Sequence, residues 1–222
     1  MKRVIFTCPT LKGELLQALQ ETGCGDTVIV LPQRLHSVPQ ELHTYLQDCI
    51  DRTANVDRII VLPSGCGGST AGLRATTAEL VVPRSRDCID ILLSGEKLAD
   101  VRQKRDMAGV FMTKDWAGFQ KRSDLDFDKL ARKHGTEGAK AFLRKVYGKF
   151  NHFYLIDTGC YDLEPVRTYL KPTLDAIDGT LTVIRGTCGI LKKVAANRID
   201  EDFVSVPRGG EVPQGFSMPN FL

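Results

Sequence analysis

Short apolar runs alternate with segments of helical period along the first third of the chain. This rhythm constrains the fold more than any other feature. Lys2 to Thr7 (KRVIFT), Asp26 to Leu31 (DTVIVL), Asp57 to Leu62 and Ala78 to Val82 (AELVV, stopped by Pro83) read as strands. Between them, Leu11 to Thr22 has apolar residues at 11, 15, 16 and 19, a helical spacing. Pro39 to Thr53 has proline in its first turn and Leu42, Leu46, Cys49 and Ile50 on one face. Ser69 to Arg74 is expected to open a short helix, and Cys88 to Ser94 reads as another. Strands apolar on both faces, alternating with helices, predict a parallel sheet covered by helices.

The middle of the chain changes character. Gly95 to Arg105 is polar and reads as helix, and Gly109 to Thr113 as a strand. Ser123 to Gly148 is charged and helix-prone, with a buried stripe of Leu125, Phe127, Leu130, Phe142, Leu143 and Val146. Gly135 and Gly138 are expected to divide it in two. The early rhythm then returns. Asn151 to Ile156, Thr180 to Ile184 and Phe203 to Val206 read as strands, with helices over Leu163 to Leu170 and Gly189 to Ala196. The predicted class is α/β, with Rossmann-like parallel sheets in two halves joined by a helical segment. The expected divisions are 1–120, 121–150 and 151–222.

Composition narrows the function classes. The chain has 222 residues, 42% hydrophobic and 26% charged, enough to bury a substantial core. A net charge of +3, with no basic stretch interleaved with aromatics, argues against nucleic acid as a partner. No apolar run approaches the roughly 20 residues that span a bilayer. After Val4-Ile5-Phe6 the N-terminus turns polar, unlike a signal peptide. A cytoplasmic protein is expected. The seven cysteines are scattered and odd in number, which argues against a disulfide framework.

In parallel α/β sheets ligands bind at the carboxyl ends of the strands. Cys8 follows the first predicted strand, His36 lies beyond the second, Cys66 follows the third and Cys88 the fourth. Thiolate and neutral imidazole are donors that zinc prefers. His36, Cys66, Cys88 and Cys8 are therefore candidate ligands, although no CxxC pair strengthens the pattern. Cys66 is the leading catalytic candidate, because flanking glycines leave room beside its sulfur and a following helix would lower its pKa. Gly67, Gly68 and Ser69 could cradle an anion, although the loop matches neither a Walker A motif nor GxGxxG. Arg84 and Arg86 could hold a carboxylate by paired hydrogen bonds. Trp116, the single tryptophan, could line a pocket. Each has a plainer reading, as buried thiol, tight turn, local ion pair or core aromatic. Asp157-Thr158-Gly159-Cys160 and Gly186-Thr187-Cys188-Gly189 are the matching turns of the second half.

Several of these stretches, in this order, resemble the family known as domain of unknown function 1638. They are Cys8 with Glu14-Leu15; Leu35-His36-Ser37-Val38-Pro39-Gln40-Glu41-Leu42; Cys66-Gly67 through Gly72-Leu73; Pro83 through Leu93; Thr113 through Trp116; Asp157-Thr158-Gly159; Gly186 through Leu191; and Asp202-Phe203 to Pro207. The chain departs from the pattern at Arg86, where members often carry histidine before the Asp-Cys pair, and at Ser64-Gly65, where they usually show Tyr-Gly. A role for that histidine does not carry over.

The resemblance implies an association with corrinoid-dependent methyl-transfer systems, the corrinoid being held by a partner protein. That context suits a zinc site that keeps a thiolate reactive. The leading expectation is a zinc-binding protein of one-carbon or corrinoid-linked metabolism, a methyltransferase or its accessory, acting on a small molecule. One alternative is a metal-free enzyme using Cys66 as nucleophile or proton-transfer thiol on a small carboxylate. Another is a non-catalytic module that binds a cofactor or metal.

Overall fold

The computed structural model describes residues 1–98 and 105–217. The fold is α/β, and the chain divides into two compact units, Met1–Gln103 with Cys188–Leu222, and Lys104–Thr187. These do not follow the boundaries expected from sequence. The second unit is an insertion, and the chain returns to the first after it.

The first unit contains strands β1 (Arg3–Thr7), β2 (Thr27–Val30), β3 (Arg58–Val61), β4 (Glu79–Pro83) and β8 (Phe203–Val206) in the order β2-β1-β3-β4-β8. The first four are mutually parallel, and β8 runs antiparallel to β4. Helices α1 (Lys12–Thr22), α2 (Pro39–Arg52), α3 (Cys88–Leu93) and α7 (Gly189–Ala195) belong to this unit. Leu42, Leu46 and Ile50 of α2 pack on Val4, Phe6, Ile59, Val61, Leu80 and Val82. The alternate residues Ile5, Ile60 and Val81 are equally buried, so both faces of the central strands are covered. From β1 the chain moves outward to β2, then returns past β1 to β3. With right-handed crossovers this puts α1 and α2 on opposite faces. The β1–β3 boundary is thus a topological switch point, where such sheets open a crevice beyond the strand ends.

Strand β2 lies at the sheet edge, and its apolar Ile29 and Val30 are exposed. Its composition resembles that of a central strand, because apolar content alone does not report position in a sheet. Ser69 to Arg74, expected as helix, forms turns instead. The helix expected over Gly95 to Arg105 falls largely outside the described residues.

The second unit holds a parallel sheet in the order β5-β6-β7, from β5 (Val110–Met112), β6 (His152–Asp157) and β7 (Thr180–Arg185). Its helices are α4 (Lys114–Arg122), α5 (Phe127–Tyr147) and α6 (Glu164–Ile177). Phe153 and Leu155 of β6 pack with Leu130 and Leu143 of α5 and with Leu170 of α6. Gly135 interrupts α5 at φ 73°, ψ 165°, as expected, whereas Gly138 does not break it. Helix α4 was not expected from sequence. The Thr113 hydroxyl caps it by accepting the Trp116 N–H at 3.2 Å, which gives the Thr-x-x-Trp stretch a structural role. No helix among the described residues is long and apolar enough to cross a membrane.

Candidate functional site

Cys8 directly follows β1 and opens the short 3-10 turn Pro9–Leu11, where it is buried. Cys88 is the first residue of α3 and is also buried; Asp87 caps that helix by accepting the N–H groups of Ile89 and Asp90. The Thr10 hydroxyl lies 3.8 Å from the Cys88 sulfur, as a donor to it. This contact ties the turn after β1 to the helix after β4.

Cys66 is held in the same region by backbone bonds. Gly65 N–H donates to the Ser85 carbonyl at 2.9 Å, and Cys66 N–H to the Arg86 carbonyl at 2.7 Å. A short hydrogen bond between the buried Ser64 and Ser85 hydroxyls reinforces the join, and the Thr70 hydroxyl donates to the Ser64 carbonyl. At Gly65 a Cβ would stand 2.5 Å from the Arg86 oxygen, so the approach requires glycine. Cys66 itself adopts φ 31°, in the left-handed region that residues with a side chain seldom occupy. Gly67 and Gly68 continue the turn at φ 68° and 87°. The Ser69 hydroxyl oxygen is buried with no hydrogen-bond partner among the described residues, while the Ser69 carbonyl accepts from His43 Nδ1 at 3.1 Å.

The neighbouring thiols bear on the ionisation of Cys8 and Cys66. Burial pushes the Cys8 thiol up to about 12, and the neighbouring Cys88 adds to the effect. Burial likewise raises Cys66 well above the ordinary thiol value, with Cys8, Cys88 and Asp87 contributing. Cys66 retains some exposed surface, yet atoms crowd its sulfur closely enough for desolvation to dominate. The pKa-lowering helix start expected after Cys66 does not form, and the shift runs the other way. His36 sits in the 3-10 turn Gln33–Ser37 beyond β2, partly buried. Burial lowers its pKa, and Asp87 opposes that effect.

The fold therefore brings Cys8, Cys66 and Cys88 to one rim and puts Asp87 within electrostatic reach of both Cys66 and His36. Among the described residues, no group of three or more His, Cys, Asp or Glu side chains is arranged to hold a metal ion.

The family model described as "Protein of unknown function (DUF1638)" matches residues 30–195, most of the chain. The chain belongs to the DUF1638 family. No curated protein and no solved structure matches it. In this DUF1638 member Arg86 makes a two-pronged ion pair with the buried Asp90: Nε to Oδ2 at 2.8 Å and Nη2 to Oδ1 at 2.8 Å. Arg84 is exposed, and its backbone N–H donates to the Asp202 carbonyl at 2.7 Å. Trp116 lies on α4 in the second unit, stacked obliquely on Phe119 at 5.4 Å and packed against that unit's core.

The sequence alone assigned no site role to Asp87, Thr10, Ser64, Ser85 or Asp90. The Asp-Cys pair was a legible signal for Asp87. The hydroxyls carried none, because serine and threonine are common in loops.

Proposed function

We propose that Cys8, Cys66 and Cys88, with His36 beside them, bind zinc, and that the protein uses the ion to hold a small thiol for methyl transfer in corrinoid-linked one-carbon metabolism. The observation that carries this reading is the gathering of three thiols, each from a different strand end, at the β1–β3 switch point. The donor set fits a soft to borderline cation. Thiols whose pKa is raised by burial, as at Cys8 and Cys66, are poor nucleophiles at neutral pH, and a divalent cation beside them reverses the effect by favouring the thiolates. The buried Ser69 hydroxyl supplies a further polar group in the same loop. Because the described side chains are not spaced as a finished site, binding must bring a local rearrangement. Zinc, once bound, would supply a thiolate held ready for alkylation. Asp87 and Thr10 would orient His36 and Cys88.

The raised pKa of Cys66 weighs against a metal-free nucleophile, which needs a depressed one. The test is elemental analysis of the full chain purified without a histidine tag. Stoichiometric zinc that is lost in Cys66→Ser and in Cys88→Ser is expected. Metal-free protein that takes up no zinc on titration would overturn the reading.

A further inference from the structure

An open polar cavity lies in the inserted unit, at the carboxyl ends of β6 and β7. Its volume is about 430 Å³, within the range of small-molecule sites, and Asp157, Thr158, Gly159, Val183, Ile184, Arg185 and Gly186 line it. Asp157 and Arg185 are direct neighbours across the parallel ladder. Side chains so placed can readily meet. Among the described residues they form no ion pair with each other, and the Arg185 guanidinium makes no hydrogen bond or ion pair at all. Among the described residues the Asp157 carboxylate accepts only from the Gly159 N–H, at 3.0 Å through Oδ1. Opposite charges thus face one cavity without cancelling, and Val183, which is exposed and two residues before Arg185 on the same face of the strand, adds an apolar wall.

We propose that this cavity binds a small zwitterion with an apolar side group, an amino acid by chemical class, with Arg185 taking the carboxylate and Asp157 the ammonium. Arginine suits a carboxylate through two parallel N–H bonds, and Asp157 has a second carboxylate oxygen for the ammonium. Each charge then meets its complement on the ligand, and the side group covers Val183. This site is independent of any metal at Cys66.

Isothermal titration of the full chain with L-leucine, 4-methylpentanoate and 3-methylbutylamine tests the proposal, since the latter two each lack one of leucine's charges. Saturable leucine binding is expected, at least about tenfold tighter than either analogue. Arg185→Gln and Asp157→Asn should each weaken leucine by about tenfold or more, and Asp157→Asn should leave 4-methylpentanoate unchanged. The asparagine amide keeps an oxygen to receive the Gly159 N–H, so the turn is preserved, and circular dichroism checks both folds. Equal binding of leucine and 4-methylpentanoate, insensitivity to either substitution, or no leucine binding at about 10 mM would overturn the proposal.

Discussion

The backbone N–H of Cys66 donates to the carbonyl oxygen of Arg86 at 2.7 Å. This one bond joins the loop after β3 to the loop after β4, and it brings the Cys66 thiol into the electrostatic reach of Cys88. The arrangement of the site follows from such backbone joins between loops distant in sequence.

Gly65→Ala should break this join. The added methyl would stand 2.5 Å from a backbone oxygen that cannot swing aside. A loss of about 2 kcal/mol or more is expected in urea denaturation. A wild-type midpoint would show that the two loops separate at little cost.

Alkaline pH should destabilise the protein through the thiols. The folded-state pKa of Cys8 is raised from 9.0 to about 12, so the folded form keeps a proton that the unfolded chain gives up. The associated stability is present below pH 9.0 and is lost as pH rises toward about 12. Cys66 acts with the same sign. Denaturation midpoints should fall across that window, and Cys8→Ser should flatten the slope. An identical slope in the variant would rule out Cys8 as its source.

Zinc binding should release protons, because the thiols are held protonated without a cation. Apparent affinity should rise with pH by about tenfold per unit for each proton displaced. Competition with a chromogenic chelator at several pH values measures the slope. A pH-independent affinity would mean that these thiols are not the ligands.

Lys193 is buried and bridges Asp200 and Asp202, each at 2.7 Å. Asp202 also accepts the Leu98 N–H at 2.9 Å, and its carbonyl accepts that of Arg84. The cluster therefore anchors the segment carrying Cys88. Lys193→Met leaves Asp202 buried without its cation and should cost about 3 kcal/mol. Adding Asp202→Asn should cost less than the sum of the single effects. Strict additivity in that cycle would show that the pair does not act as a unit.

Gly135→Ala should cost about 1–3 kcal/mol through the backbone alone. The residue sits at φ 73°, ψ 165°, and nothing lies within 4 Å of the place an added methyl would take, so crowding plays no part. Calorimetry of the variant checks this. An unchanged melting temperature would mean that the break in α5 adapts freely.

Periodicity and turn chemistry alone determined the α/β class, each of the described strands and the placing of cysteines after β1, β3 and β4, because local hydrophobic pattern and backbone preference are short-range properties. Helix α4 escaped detection because its Thr113 cap and short polar span give little periodic signal. Ser69 to Arg74 looked helical but is held as turns by positive-φ glycines and the Ser64–Thr70 bond. Only the tertiary structure decided that β2 is an edge, that the second unit interrupts the first, and that Arg86 is committed to Asp90. It alone decided which thiols share a rim and in which direction their pKa values move. Those outcomes depend on strand order and on desolvation by residues far apart along the chain, and no local pattern encodes either.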